Sequence, residues 1–465
     1  MTKGLAAFWC ALWVTAAARA GASDSLEFDR FGPVALTRES EHPSNVVLFV
    51  SGDGGWNLGV VDMARALASL DALVVGIDIH RYRKALERSA EACSYFAADF
   101  EALSQFVQKK LAFPEYRAPV LVGYSSGAAL VYATLVQAPP GTFRGALSLG
   151  FCPDLPLSRS PCRGHGLAFE AAPGGKDLRF LPAAELEAPW IAFQGTIDRV
   201  CEASRTRAYV RQVRGAEIVL LPKVGHGFSV QRNWLPQLQE SFSRLATRAG
   251  PATRVEAPDV ADLPLVEVPA PGGEGDTLAV VVSGDGGWAS LDREVGQVLA
   301  ARGIPVVGLD SLRYFWTRRT PEEASQALAR ILAHYLREWK RKKAILVGYS
   351  RGADVVPFLA NRLPEDLLAQ LRLIALLGPG LQVDFEFHLS DWLEDATRPT
   401  SRPVLPEVEK LRGRGILCVY GQQEPASLCP RLAPGLAVLD PRPGAHHFGG
   451  DYEAIARRIL SEAGL

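Results

Sequence analysis

Excess charge is what this sequence most plainly lacks: 50 basic side chains meet 51 acidic ones, a formal charge of −1 over 465 residues. That balance removes the basic footprint nucleic-acid binding needs, so no nucleic-acid partner is expected and any anionic ligand must be met by local charge. No CxxC pair and no His/Cys cluster occurs, which excludes the usual zinc spacings; neither a metal nor a cofactor is expected. With 48% hydrophobic and 22% charged residues, disordered and fibrous classes are out, and the length suits two or three globular domains.

A membrane-spanning apolar run is missing too. The opening MTKGLAAFWCALWVTAAARA joins Lys3 to an apolar stretch from Leu5 to Ala17, short of the roughly 20 residues a bilayer span requires. It ends in Ala18-Arg19-Ala20, a small-x-small cleavage site. Residues 1–20 therefore read as a cleavable secretory signal. Cys10 would leave with it, and the six remaining cysteines suit disulfides in an exported chain. Many connectivities are open to them. Closeness in sequence favours Cys152 with Cys162 and Cys418 with Cys429, leaving Cys93 with Cys201.

What is present is a duplication. The hexapeptide SGDGGW occurs at Ser51–Trp56 and again at Ser283–Trp288, each time after an apolar strand, NVVLFV or TLAVVV. ALVVGID and IPVVGLD follow, then APVLVGYSSGAALVYATL and KAILVGYSRGADVVPFLA. Short β-branched runs alternating with helix-length segments predict parallel sheets flanked by helices, hence two tandem α/β-hydrolase-like domains. The first is expected over residues 25–247 and the second over 265–465, with the Ala- and Pro-rich residues 248–264 as linker.

GYSSG (Gly123 to Gly127) and GYSRG (Gly348 to Gly352) both fit GxSxG after a predicted strand and before a predicted helix, the setting of a nucleophile elbow. An elbow needs an acid and then a histidine downstream. The first copy offers Ser125, Asp198 in WIAFQGTID and His226 in VGHGF. The second offers Ser350, Glu424 in ILCVYGQQE and His446 in GAHHF, chosen over His447 because AHHF aligns with GHGF. Only eight histidines occur in the chain, so two at the required places favour catalysis over chance. For the oxyanion, one donor should be the amide after the nucleophile, Ser126 or Arg351; the other should come from the hexapeptide, at Gly52 or Asp53 and at Gly284 or Asp285.

VVVSGDGGW, LVGYSRGADVVPF and LCVYGQQE…LC together resemble the VirJ family of bacterial virulence proteins, in the α/β-hydrolase superfamily, and the two-domain exported layout resembles its AcvB-like members. The resemblance implies a periplasmic enzyme that hydrolyses lysyl-phosphatidylglycerol, an aminoacylated phospholipid, to lysine and phosphatidylglycerol, with transient contact to a membrane surface. It also favours Ser350, Glu424 and His446 as the working triad, with Ser125, Asp198 and His226 as a second. On such a substrate Arg351 would meet the phosphate, and Asp354 or Asp285 an ammonium group. A local Arg351–Asp354 ion pair is the equal alternative. Two other readings stand: a general exported esterase, thioesterase or peptidase, and a non-catalytic adaptor for secretion-system components. SLRYFWTRR (311 to 319), with Tyr314, Phe315 and Trp316 among basic residues, is either a loop packed over the active site or a patch that rests on anionic lipid.

Overall fold

The computed structural model describes residues 24–89, 91–172, 177–247, 259–271, 275–388 and 399–465. The predicted signal segment, and the linker as far as residue 258, lie outside them.

The first half opens with β1 (Ser25–Phe28), β2 (Gly32–Thr37) and β3 (Asn45–Val50), then α1 (Leu58–Ala68), β4 (Ala72–Ile77), α2 (Ile79–Arg88) and α3 (Phe96–Lys110). It continues through β5 (Val120–Tyr124), α4 (Ser126–Gln137) and β6 (Gly145–Leu149) to a small three-stranded sheet of β7 (Asp154–Leu155), β8 (Phe169–Ala171) and β9 (Leu178–Phe180). β10 (Glu185–Gly195), α5 (Ala203–Val210), β11 (Arg214–Leu221) and α6 (Leu235–Thr247) complete it. The main sheet runs β1-β2-β4-β3-β5-β6-β10-β11, parallel from β4 onward. A sheet covered by helices on both faces demands strands apolar on both sides. β3 meets that demand, since Val46, Leu48 and Val50 enter one core cluster while Val47 and Phe49 enter the other.

The second half repeats the plan with β12 (Leu265–Val268), β13 (Thr277–Val282), α7 (Ser290–Ala301), β14 (Val306–Leu309), α8 (Ser311–Tyr314) and α9 (Pro321–Glu338). Then come β15 (Lys343–Tyr349), α10 (Arg351–Ala360), α11 (Glu365–Leu368), β16 (Leu371–Leu377), β17 (Gln382–Val383), β18 (Arg402–Pro403), α12 (Leu405–Lys410), β19 (Ile416–Gly421), β20 (Val438–Arg442) and α13 (Tyr452–Glu462). Its sheet order, β12-β14-β13-β15-β16-β19-β20, matches that of β2 to β11 strand for strand. Among the described residues no helix is long and apolar enough to cross a membrane.

Two of the three expected disulfides are corrected. Cys93 pairs with Cys162 and Cys152 with Cys201, while Cys418–Cys429 forms as expected. Closeness in sequence misleads because β6 and β10 are parallel neighbours. Their carboxyl ends therefore lie side by side and bring Cys152 to Cys201, with 5.4 Å between Cα atoms. Cys93 meets Cys162 where Ser94 N donates to Ser160 O at 3.1 Å and Cys162 N to Ser94 O at 2.9 Å.

The 311–319 segment is neither lipid patch nor simple active-site cover. Phe315 and Trp316 are buried, and Trp316 is a fastener between the halves. Its indole N–H donates to Phe113 O at 2.8 Å, its ring contacts Tyr116 and stacks on Phe387, and the Lys109 ammonium sits 4.7 Å from its centroid. Desolvating so large a ring explains why it faces protein rather than solvent.

Candidate active site

Each candidate nucleophile sits at a sharp strand-to-helix turn in the left-handed region: Ser125 at φ 54°, ψ −121° and Ser350 at φ 53°, ψ −121°. That conformation costs a non-glycine residue of order 1–3 kcal/mol and persists only where surroundings impose it. The flanking glycines let the chain close in. A Cβ on Gly123 would lie 2.2 Å from Gly127 O, and one on Gly352 only 1.9 Å from Val282 O.

In the first half the hydrogen bonds are continuous. Ser125 Oγ lies 2.9 Å from His226 Nε2, and His226 Nδ1 lies 2.8 Å from Asp198 Oδ2. Asp198 is enclosed and fully used: Oδ1 accepts from the amides of Val200 at 2.8 Å and Cys201 at 2.9 Å, and Oδ2 also accepts from Gln194 Nε2 at 3.0 Å. The Cys152–Cys201 bridge thus anchors the turn that presents the acid. Sequence reasoning passed over Gln194, although a lone amide ending the apolar run WIAFQ was a usable signal.

The second half has the same parts in a looser state. His446 Nδ1 lies 2.5 Å from Glu424 Oε1, but Glu424 Oε2 is buried without a hydrogen-bond partner. Among the described residues no hydrogen bond joins Ser350 Oγ to His446. The imidazole still occupies the equivalent place: a Cβ on Gly378 would meet it at 2.9 Å, as one on Gly150 would meet His226 at 3.2 Å. His447 turns aside, its Nδ1 3.1 Å from Tyr349 Oη, and burial beside His446 lowers its proton affinity.

The hexapeptide clasps the site in both copies. Ser51 Oγ accepts from Ile79 N at 3.1 Å, and Ser283 Oγ from Ser311 N at 2.9 Å. Gly52 and Gly284 lie directly against the nucleophile, where a Cβ would come within 2.9 Å of Ser125 Cβ and 3.3 Å of Ser350 Cβ. The aspartate reaches the residue after the nucleophile: Ser126 Oγ donates to Asp53 at 2.6 Å, and Arg351 Nε donates to Asp285. The tryptophan crosses the glycine of the neighbouring strand, since a Cβ on Gly76 or Gly308 would lie 2.1 Å from the Trp56 or Trp288 ring.

Arg351 and Asp354 are near enough to influence each other but, among the described residues, do not form the ion pair expected as the alternative to their ligand-binding roles. The Arg351 guanidinium is 5% exposed, held by Asp285 and by the carbonyls of Asp384 at 2.6 Å and Glu386 at 3.1 Å. Thus committed and desolvated, it is placed to fix loops rather than to meet a phosphate. Asp354 accepts from Gly380 N at 2.6 Å, and burial pushes its carboxyl well above the usual range. Asp292, where the first copy has Val60, was missed altogether. Its Oδ2 takes the Gly284 amide at 3.5 Å, Oδ1 has no partner, and desolvation raises it strongly.

Parallel sheets flanked by helices, with a serine, histidine and acid at the strand ends of each half, define an α/β-hydrolase fold. The chain belongs to the family of the bacterial virulence protein VirJ, whose pattern matches residues 44–146 and 276–464, more than half its length. No curated protein was found to match it in sequence. Solved structures similar to it include the esterase domain of a Rhodothermus marinus protein, at 17% identity and TM-score 0.34, covering 49% of this chain and 98% of that one. Est1E from Butyrivibrio proteoclasticus matches at 12% identity and TM-score 0.35, covering 49% and 100%. A serine hydrolase without lid from Xanthomonas campestris matches at 19% and TM-score 0.31, covering 50% and 96%.

Proposed function

We propose that this chain is an exported serine ester hydrolase. The observation that carries the reading is the unbroken series Ser125 Oγ, His226, Asp198. His226 Nε2 takes the Ser125 proton as Oγ attacks the ester carbonyl, and returns it to the departing alcohol. Water then attacks the acyl-serine by the same route. Asp198 holds Nδ1–H, fixes the tautomer and stabilises the imidazolium. The amide of Ser126 and the chain at Gly52 and Asp53 would receive the oxyanion. Ser350, Glu424 and His446 form a second site of the same type, with the amides of Arg351 and Asp285 on its oxyanion side, the Gly284 amide being taken by Asp292. It is organised once Ser350 and His446 meet, as catalytic hydrogen bonds often tighten only with substrate bound.

Lysyl-phosphatidylglycerol, reached at the periplasmic membrane surface, is the substrate we propose on the VirJ resemblance. Two carboxyls of this half that pair with no cation among the described residues, Asp292 and Asp354, support a cationic acyl group there; Asp285 is already paired with Arg351 and Glu424 with His446. An arriving ammonium would favour ionisation of the two raised carboxyls. Ser125→Ala, Ser350→Ala and the double variant, assayed for lysine release and for fluorophosphonate labelling, test both levels. Labelling without lysine release leaves a general esterase. No labelling of either serine would replace the enzyme reading with the adaptor.

A further inference from the structure

Away from both serines, a cleft of about 810 Å³ opens between the two halves, within the size range of small-molecule sites. The first half lines it with Arg117 and Arg144, and the second with Arg313, Arg319 and Arg330. Three carboxylates share the wall, Glu115, Asp262 and Glu323, and each is already engaged. Asp262 pairs with Arg330, Glu323 caps the start of α9 by accepting from Thr320 N at 2.7 Å, and Glu115 pairs with Arg117 at 3.0 Å.

Arg313 is likewise paired, with Asp310 at 3.5 Å, which leaves Arg144 and Arg319. Among the described residues no carboxylate forms an ion pair with Arg144 or Arg319. Arg144 donates to Ala246 O at 2.6 Å, and Arg319 lies over the Tyr314 ring at 5.2 Å and donates to Tyr314 O at 3.4 Å. Desolvation, then the nearness of Arg313 and Arg117, weakens Arg144's hold on its proton. The packing of the halves has therefore brought one uncompensated guanidinium from each, Arg144 and Arg319, to the same open volume. Such convergence is unfavourable unless an anion offsets it, and guanidinium forks match phosphate oxygens in geometry and charge.

We propose that this interdomain cleft binds a phosphate-bearing anion, gripped by Arg144 from one half and Arg319 from the other, with the paired Arg117 and Arg313 beside them. Because the ligand would touch both halves and the Ala261–Leu265 stretch between them, binding would also tie the halves together. The chemistry fits either a free phosphate compound or a phosphodiester lipid headgroup.

The test uses the full mature chain and an Arg144→Gln/Arg319→Gln variant. Gln removes the charge and keeps a polar side chain, and neither residue belongs to a triad. Inorganic phosphate is titrated by calorimetry at fixed ionic strength, and vesicles of phosphatidylglycerol or phosphatidylcholine are tested by co-sedimentation. Phosphate binding to the native chain, weakened about tenfold or more in the variant, with no sedimentation, assigns the cleft to a free phosphate compound. Sedimentation with phosphatidylglycerol but not phosphatidylcholine, lost in the variant, assigns it to a headgroup. Binding of neither probe, or equal binding by both proteins, overturns the proposal. Should the double variant melt early, Arg319→Gln alone decides, since the one hydrogen bond its guanidinium makes among the described residues is to Tyr314 O.

Discussion

Replacing Asp198 with asparagine separates a group that orients a histidine from one that merely neighbours it. All four partners of the carboxylate are donors: two backbone amides, the Gln194 amide and the His226 Nδ1–H. An asparagine must turn an NH2 toward one pair of them, whichever way it is placed. Facing the backbone amides, it leaves donor against donor in a site with no exposure. Facing His226, it drives the proton to Nε2, where the ring can no longer accept from Ser125. Two charge-assisted bonds are lost either way, at about 1.5–3 kcal/mol each, so stability should fall by about 3 kcal/mol or more. Hydrolysis should fall on the order of 10³- to 10⁴-fold, the scale known for the same change in a serine-protease triad. The assay is hydrolysis of a short nitrophenyl ester in a Ser350→Ala background, which isolates the first site. Glu424→Gln in a Ser125→Ala background should lose far less, about tenfold, because its second oxygen has no donor to offend. If Asp198→Asn kept more than a tenth of the rate, the role given to the carboxylate would be refuted.

Three further outcomes are expected. Trp316→Ala removes a buried ring and its bond to Phe113 O, so the halves should come apart more readily, by about 3–5 kcal/mol; limited proteolysis between residues 247 and 265 would report it. Burial, with Asp310 across the interface, pushes the Glu101 carboxyl up to about 8 from an ordinary 4.5. The folded chain then holds a proton that the unfolded chain releases, so this contribution is whole below about pH 4.5 and is lost as pH rises toward 8. Denaturation midpoints for Glu101→Gln should show a flatter pH profile, and an unchanged slope would count against the buried carboxyl. Finally, Cys152→Ala with Cys201→Ala should cost about 2–4 kcal/mol and slow the first site selectively, since the bridge holds the turn that feeds Asp198 its two amide bonds. Equal slowing at Ser350 would argue against that coupling.

The doubled plan, both elbows and both acid and histidine positions could be read in the sequence because strand periodicity and motif order are local properties. Relations across the sheet could not. Cys152 and Cys201 meet because two parallel strands end together, a fact of strand order. Trp316 looked like a surface aromatic because its partners, Phe113 and Tyr116, lie in the other half. Arg351 invited a ligand role from its place beside Ser350, yet its burial follows from Asp285 and from carbonyls beyond β17. Nor could spacing show that Asp198 is saturated while Glu424 keeps an idle oxygen.

The stacking of Trp56 on Gly76 and of Trp288 on Gly308 bears on how this unit should be searched for and altered. The hexapeptide is one jaw of a two-part clasp, and the other jaw is the strand glycine with the aspartate just past the strand end, Gly76 and Asp78 or Gly308 and Asp310, where Asp78 Oδ2 accepts from Trp56 N at 3.2 Å and Asp310 from Trp288 N. Neither part can drift alone: a side chain on the strand glycine evicts the indole, and a smaller ring leaves a hole above it. The heritable element is therefore a discontinuous pair running from Ser51 to Asp78 or from Ser283 to Asp310. Grafting this loop onto another hydrolase should succeed only when both jaws travel together.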